Sequence, residues 1–425
     1  MAMTALIRCL RDTGAALSIH VEVSQTVAGK AWFNFLHTCL KSIPLGAAPT
    51  LVLETDMKAL QDRWYSASGA SVPKRIEMVN DSCSADTAYR LACAGTALFW
   101  QGDFQQARQL LQAMTRRISS TSMAKSSSLA MPQAFHAYRM AQAQRSRILS
   151  MLLLQVEGDY RIDLRRSPDV RDALRSAWGE ARGQARVLSL RELLGVVSAY
   201  EWQRKGIAVK ALSEDGFFIH PRYGVFAPLR NEYLDLIAKA PLSSVEMAFD
   251  IGTGTGVIAA LLLMRGVKHV IATDSSEVAL QCAKDNLQRL DLSSRAQFQM
   301  TDVFPQGQAN LIVCNPPWLP GKATSLLEQA IYDPDSRMLR TFLSDVAAHL
   351  SPGGEAWLVV SDLAEHLQLR SREQLLQWIE AGGLQVLGRE DIRPSHAKVQ
   401  DSADALHAAR SQEVTSLWRL GARAA

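Results

Sequence analysis

The sequence predicts an α/β fold: a mostly parallel, seven-stranded sheet with helices on both faces over residues 241–425. A mostly helical region, 1–200, and a small β element, 201–240, precede it. Three observations carry this. From Ser244 onward, short β-rich apolar runs alternate with helical segments. A glycine-rich turn, Asp250-Ile251-Gly252-Thr253-Gly254-Thr255-Gly256, joins the first run to the first helix. Asn315-Pro316-Pro317-Trp318 follows the fourth run directly, 65 positions after Asp250.

The elements follow in order. Strands are expected at Val245–Phe249, His269–Thr273, Ala296–Met300, Asn310–Cys314, Ala356–Ser361, Leu384–Arg389 and Val414–Trp418. Helices are expected at Val257–Met264, Ser276–Leu290, Ser325–Ile331, Arg337–Leu350 and Ser371–Ala381. Upstream, Ile207–Val209 and Gly216–His220 read as short strands around a turn, and a helix begins near Asn231. Earlier still, Thr87–Met114 reads as a helical hairpin broken at Gln101-Gly102-Asp103, similar to one tetratricopeptide unit without a second copy. Ile118–Ser128 has the small, polar composition of a linker. Helices are expected at Gln133–Val156, Ser167–Trp178 and Arg191–Arg204.

Composition narrows the classes. At 425 residues the chain exceeds one ordinary domain, and with 48% hydrophobic and 21% charged residues it reads as globular. No apolar run is long enough for a membrane span, and the first twenty residues show no secretory signal pattern, so a cytoplasmic location is expected. The six cysteines form no CxxC pair or zinc spacing; no metal is expected, and the thiols read as buried and free. Net charge is +4, but residues 101–210 hold 18 Lys/Arg against 9 Asp/Glu. Arg139, Arg145, Arg147, Arg161, Arg165, Arg166, Arg171, Arg175, Arg182 and Arg186 fall within this block. It reads either as a phosphate-binding face or as arginines solvated along helices.

A Gly-x-Gly-x-Gly turn at the end of a strand lets a ligand approach the backbone closely. Alone, it is shared by dinucleotide-binding and S-adenosylmethionine-binding folds. Two features favour the second. Asp250 opens the turn, where an acid suits a cationic methionine end but is not needed by a pyrophosphate. The same sheet also continues into Asn315–Trp318. Asp274 ends the second strand, where a carboxylate can accept both ribose hydroxyls; its plainer reading is a helix N-cap. Asp302 follows the third strand, positioned for an adenine amino group or for a plain turn.

Amide and aromatic amino nitrogens are weak nucleophiles because their lone pair is delocalised. An enzyme that methylates one must place it in line and hold its protons with fixed acceptors. The Asn315 side-chain oxygen and the Pro316 carbonyl are such acceptors. Pro316 and Pro317 stiffen the backbone that carries them. Trp318 offers a flat face on which an amide or a base can stack.

On these residues, about 228–420 resembles the class I S-adenosylmethionine-dependent methyltransferases, whose sheet is Rossmann-like. It is most similar to the group of protein-glutamine N5-methyltransferases and exocyclic-amino methyltransferases of DNA and RNA. The resemblance implies S-adenosylmethionine as cofactor, held by Asp250, Gly252, Thr253, Gly254, Gly256, Asp274 and Asp302. It implies catalysis at Asn315, Pro316, Pro317 and Trp318. Ser351-Pro352-Gly353-Gly354 matches the loop before the fifth strand. Pro228-Leu229-Arg230-Asn231-Glu232 is similar to a Pro-x-x-x-Glu element of the glutamine enzymes, which makes Glu232 a substrate-side candidate. Two departures stand out: tryptophan where those enzymes carry tyrosine, and Asn231 where they carry threonine. The expected activity is N-methylation of a macromolecule, at a protein glutamine or a nucleic-acid base. The alternatives are a small-molecule N-methyltransferase of specialised metabolism and a binding protein that retains the fold.

Overall fold

The structure, a computed structural model, describes residues 7–10, 18–21, 54–122, 130–212, 214–323, 327–394 and 404–423. The chain divides into two units, Met1–Leu51 and Val52–Ala425. In the first, β1 (Ile7–Leu10) and β2 (Ser18–Val21) pair antiparallel.

The second unit opens with a small α/β layer. Its elements are α1 (Glu54–Asp62), β3 (Arg75–Val79), α2 (Ala85–Cys93), β4 (Thr96–Trp100), α3 (Phe104–Ser122) and α4 (Met131–Leu149). There follow β5 (Leu152–Val156), α5 (Arg171–Trp178), β6 (Arg186–Ser189) and α6 (Leu190–Lys205). The strands form one sheet in the order β3-β4-β5-β6, parallel except for the last pair.

Helices dominate this region by length, but the sheet corrects two expected elements. The predicted hairpin Thr87–Met114 is α2, β4 and α3, and the predicted helix Gln133–Val156 is α4 followed by β5. The reason is burial on both faces. Leu98, Leu152 and Leu154 pack into the core on one side of the sheet, and Ala97, Phe99 and Leu153 into that on the other. A strand covered on both sides reads as a continuous apolar run, which periodicity does not separate from a helix. Of the predicted linker, 118–122 continue α3 and 123–128 lie outside the described residues.

The hairpin β7 (Ile207–Val209) and β8 (Phe217–Ile219) lies where the sequence placed it. The seven-stranded sheet then comprises β9 (Met247–Ile251), β10 (His269–Asp274), β11 (Ala296–Met300), β12 (Ala309–Cys314), β13 (Leu350–Ser361), β14 (Leu384–Ile392) and β15 (Thr415–Ala422). Its order is β11-β10-β9-β12-β13-β15-β14, with β15 antiparallel to its neighbours. Around it lie α7 (Glu232–Lys239), α8 (Val257–Met264), α9 (Glu277–Arg289), α10 (Arg337–His349), α11 (Leu363–His366), α12 (Arg372–Ala381) and α13 (His407–Arg410). Residues 257–263 of α8 are all buried, as an all-apolar helix requires. The helix expected at Ser325–Ile331 is a short 3₁₀ turn, Leu327–Ala330; Ser325 lies outside the described residues.

Among the described cysteines, Cys282 and Cys314 are buried and free as expected, whereas Cys93 is exposed and Cys83 half-buried. Cys93 closes α2 on its outer side, so its position in the helix rather than its residue type sets its exposure.

One buried side chain ties the small hairpin to the large sheet. The Asn286 amide on α9 accepts from the His220 N–H (2.8 Å) and donates to the carbonyls of Thr255 (2.9 Å) and His220 (3.2 Å). It is fully buried. Asn286→Ala strands these backbone groups, and each unsatisfied buried group costs about 1–3 kcal/mol. The variant is expected to unfold at clearly lower urea concentration, with the slope of the transition unchanged.

Candidate active site

The strand order reverses between β9 and β12. From β9 the chain steps outward to β10 and β11; from β12 it steps the other way. In open α/β sheets a ligand crevice forms at such a switch, beyond the carboxyl ends of the strands. The register is parallel, with Asp250 beside Val313 and Ile251 beside Cys314. Adjacent strands lie about 4.8 Å apart, so the glycine turn and Asn315 leave the sheet side by side.

The turn needs its glycines. Gly252, Gly254 and Gly256 have φ of 71°, 55° and 78°, a region that costs an L side chain roughly 1–3 kcal/mol. At Gly256 a Cβ would also come within 2.9–3.0 Å of Leu287 and Ala283 on α9. At Gly254 it would meet nothing within 4 Å, so the turn faces open space there. The Thr253 N–H donates to the Thr273 carbonyl (2.8 Å), fixing the turn to β10.

Two carboxylates support the turn. Asp274 Oδ2 accepts from the Gly254 N–H (3.0 Å) and Oδ1 from the Ser276 N–H (2.9 Å). Burial raises its pKa, against the pull of these amides. Asp250 is completely buried. Its Oδ2 accepts from the Thr253 hydroxyl (2.6 Å) and the Ala259 N–H (3.1 Å). Its Oδ1 has no hydrogen-bond partner. Burial pushes Asp250 up to about 6, opposed by the two donors and assisted by the neighbouring Asp274 charge.

On the other side of the switch, the Trp318 indole N–H donates to Asn315 Oδ1 (2.9 Å). Tyr233, from α7, lies buried beside Asn315. The Arg230 guanidinium lies 5.8 Å from the centre of the Trp318 ring and pairs with Glu413 (3.2 Å) and Glu232 (3.6 Å). Glu413 also accepts from the Ser361 hydroxyl (2.8 Å) at the end of β13.

The loop after the motif is anchored by the N-terminal layer. Across it the Leu319 N–H donates to the Ile331 carbonyl (3.1 Å), and the Leu319 carbonyl accepts from the Asp333 N–H (2.9 Å). Arg139 on α4 donates to the Lys322 carbonyl (2.7 Å), pairs with Glu328 (3.1 Å) and stacks over the Tyr332 ring at 3.7 Å.

The structure therefore brings together Asp250, Gly252, Thr253, Gly254, Gly256, Asp274, Asn315, Pro316, Pro317 and Trp318. Glu232 stands beside them through Arg230. Asp302 lies farther out: its carboxylate is mostly exposed and pairs twice with Arg337 (2.6 and 2.9 Å), which lowers its pKa. Sequence reasoning missed Tyr233 and Arg139. Tyr233 is 82 positions from Asn315 in the chain, and nothing local in the sequence marks their meeting.

Residues 233–379 match the model of the methyltransferase small domain. The release factor glutamine methyltransferase of Deinococcus radiodurans is 30% identical over 237 residues, covering 52% of this chain and 77% of that protein. The chain belongs to the class I S-adenosylmethionine-dependent methyltransferases. The release factor glutamine methyltransferase of Cereibacter sphaeroides is 33% identical over 146 residues, 31% of this chain. The chain spans about half, 52%, of that relative's length. The tRNA1(Val) (adenine(37)-N6)-methyltransferase of Serratia proteamaculans is 39% identical over 88 residues, 19% of this chain and 34% of that one.

The cofactor of this methyltransferase class is S-adenosylmethionine, and the residues present fit it. The unpartnered Oδ1 of Asp250 suits a cationic end, and Gly254 opens on free space. Among the described residues, no His/Cys/Asp/Glu group is disposed to hold a metal, and no helix is long and apolar enough to cross a membrane.

Asp250 gives a pH signature. Its carboxyl is raised in the fold, so its contribution to stability is complete below the ordinary carboxylate range and is lost as pH rises through about 6. A bound cation favours the ionised form. S-adenosylhomocysteine, which carries the same ammonium, is expected to bind more weakly as pH falls below about 6, with proton release on binding near that pH. Calorimetry in buffers of different ionisation enthalpy reads this, and Asp250→Asn is expected to abolish it.

Proposed function

We propose that this chain methylates a planar nitrogen, an amide or an exocyclic amine, of a macromolecule. The observation that carries the reading is the placement of Asn315 beside the Asp250 turn at the strand-order reversal. S-adenosylmethionine bound at the turn supplies an electrophilic methyl. Asp250 faces its ammonium, Asp274 its ribose hydroxyls, and Gly252, Thr253, Gly254 and Gly256 let the backbone come close. Asp302 takes the adenine amino group with the lone pairs that Arg337 leaves free. Asn315 Oδ1 and the Pro316 carbonyl accept the two protons of the target NH₂. This turns its lone pair toward the methyl. Trp318 stacks on the plane of the target, and Glu232 holds Arg230 beside that ring.

A protein amide is the acceptor these observations favour. The basic block that suggested nucleic acid is largely spent within the fold. Arg161, Arg165, Arg166, Arg171 and Arg175 pair with Asp159, Asp81, Asp103, Asp169 and Asp172 at 2.5–2.6 Å, and Arg139 pairs with Glu328. Paired arginines release few counterions on binding a polyanion. The Deinococcus radiodurans relative, matched over 237 residues, is named for a glutamine substrate. The N-terminal layer, which anchors the wall of the site through Arg139, is the part that holds the partner protein. A cytoplasmic location suits such a partner.

Two measurements test this. Asn315→Ala is expected to lower methyl transfer at least a hundredfold while S-adenosylhomocysteine affinity stays within a few-fold; unimpaired transfer would sink the assignment. Radiolabelled methyl transferred into cell extract is expected to become protease-sensitive and nuclease-resistant. Label lost to nuclease would move the acceptor to a nucleic-acid base.

A further inference from the structure

The Asn315 side chain carries an oxygen that accepts and a nitrogen that donates, and the two ends have nearly the same shape. Catalysis on an NH₂ group needs the oxygen end toward the substrate. The Trp318 indole N–H can only donate, and it lies 2.9 Å from Asn315 Oδ1. An amide turned the other way would set two donors against each other at that distance. Tyr233 approaches Asn315 from the core; burial raises the pKa of the phenol, and the approach of Asn315 works against that rise, as an N–H directed at the phenol oxygen does. Tyr233 is only 6% exposed.

We propose that Trp318 and Tyr233 clamp the Asn315 amide in one orientation, leaving the second lone pair of Oδ1 for the incoming N–H. The indole holds the first lone pair, and the phenol oxygen holds Nδ2. Tyr233 is a positioning residue acting through Asn315, and Trp318 adds this positioning role to its stacking on the target. The clamp sets the site to receive a hydrogen bond from its substrate rather than to give one, which selects a nitrogen that still bears a proton. It also gives the tryptophan a part that a tyrosine ring cannot play from the same place, since the phenol has no ring N–H. The inference rests on the methyl-transfer reading for its consequence, but not for the existence of the clamp.

The test separates the two. Protein labelled with ¹⁵N in its nine tryptophans gives indole N–H signals, and the one lost in Trp318→Phe belongs to Trp318. With the clamp in place, Asn315→Ala moves that signal upfield and speeds its exchange with water, and Tyr233→Phe does so in part. In extract methylation at saturating S-adenosylmethionine, Tyr233→Phe and Trp318→Phe are each expected to lower turnover about five- to tenfold, the size of one lost hydrogen bond. S-adenosylhomocysteine affinity should stay within twofold. Tyr233→Phe keeps the buried ring, so it carries the test if Trp318→Phe folds poorly. A Trp318 signal indifferent to Asn315→Ala overturns the clamp whatever the activity. Full turnover in Tyr233→Phe overturns it as well. If the parent labels nothing in the extract yet binds S-adenosylhomocysteine, the reading of the reaction fails, and the indole signal alone decides the clamp.

Discussion

The parallel pairing of β9 with β12 is the constraint on which the rest of the molecule turns. Residues far apart in the chain leave the sheet side by side because these strands are neighbours and point the same way. The glycine turn and the Asn-Pro-Pro-Trp segment are each an ordinary strand ending. In the proposed reaction, their adjacency makes one the cofactor cradle and the other its reacting partner. A register slip of one residue between the strands would take Asp250 out of line with Val313 and send each side chain of the slipped strand to the opposite face of the sheet.

Burial on both sides of that pairing sets the electrostatics. Asp250 sits where water cannot reach it, with one oxygen satisfied and the other not. Such a group is costly to keep charged. It persists because the fold fixes it before any ligand arrives. Beyond β13, the partly buried Arg230 and Glu232 join the buried Glu413 and Ser361 in a polar cluster that reaches Trp318 through Arg230. The N-terminal layer reaches this side through Arg139, so one helix of the smaller sheet holds the loop that walls the site.

The sequence made the large sheet legible because its strands are separated by helices with clear starts. Ser276 and Ser371, for example, each accept an N–H three residues on, as N-caps do. It also placed Asn315 and the glycines, which follow their strands without a gap. The smaller sheet was hidden because β4 and β5 are apolar on both faces. Tyr233 was hidden for a different reason: its meaning lies in a contact with Asn315, made only when α7 packs against the sheet. The arginine block stayed open between two readings because a list of charges does not show partners. Arg165 and Arg166 face Asp81 and Asp103, which only the fold brings to them.

The outer strand β14 has a consequence of its own. It is an edge, paired only with β15. Bare edges invite other chains to add strands, and proteins that stay apart spoil them. Here the register slips between Val386 and Gly388, and the next three residues are Arg389, Glu390 and Asp391. The slip bends the hydrogen-bonding row, and the charges make it a poor template. The outer edge of the sheet is thus a poor template for a strand from another molecule.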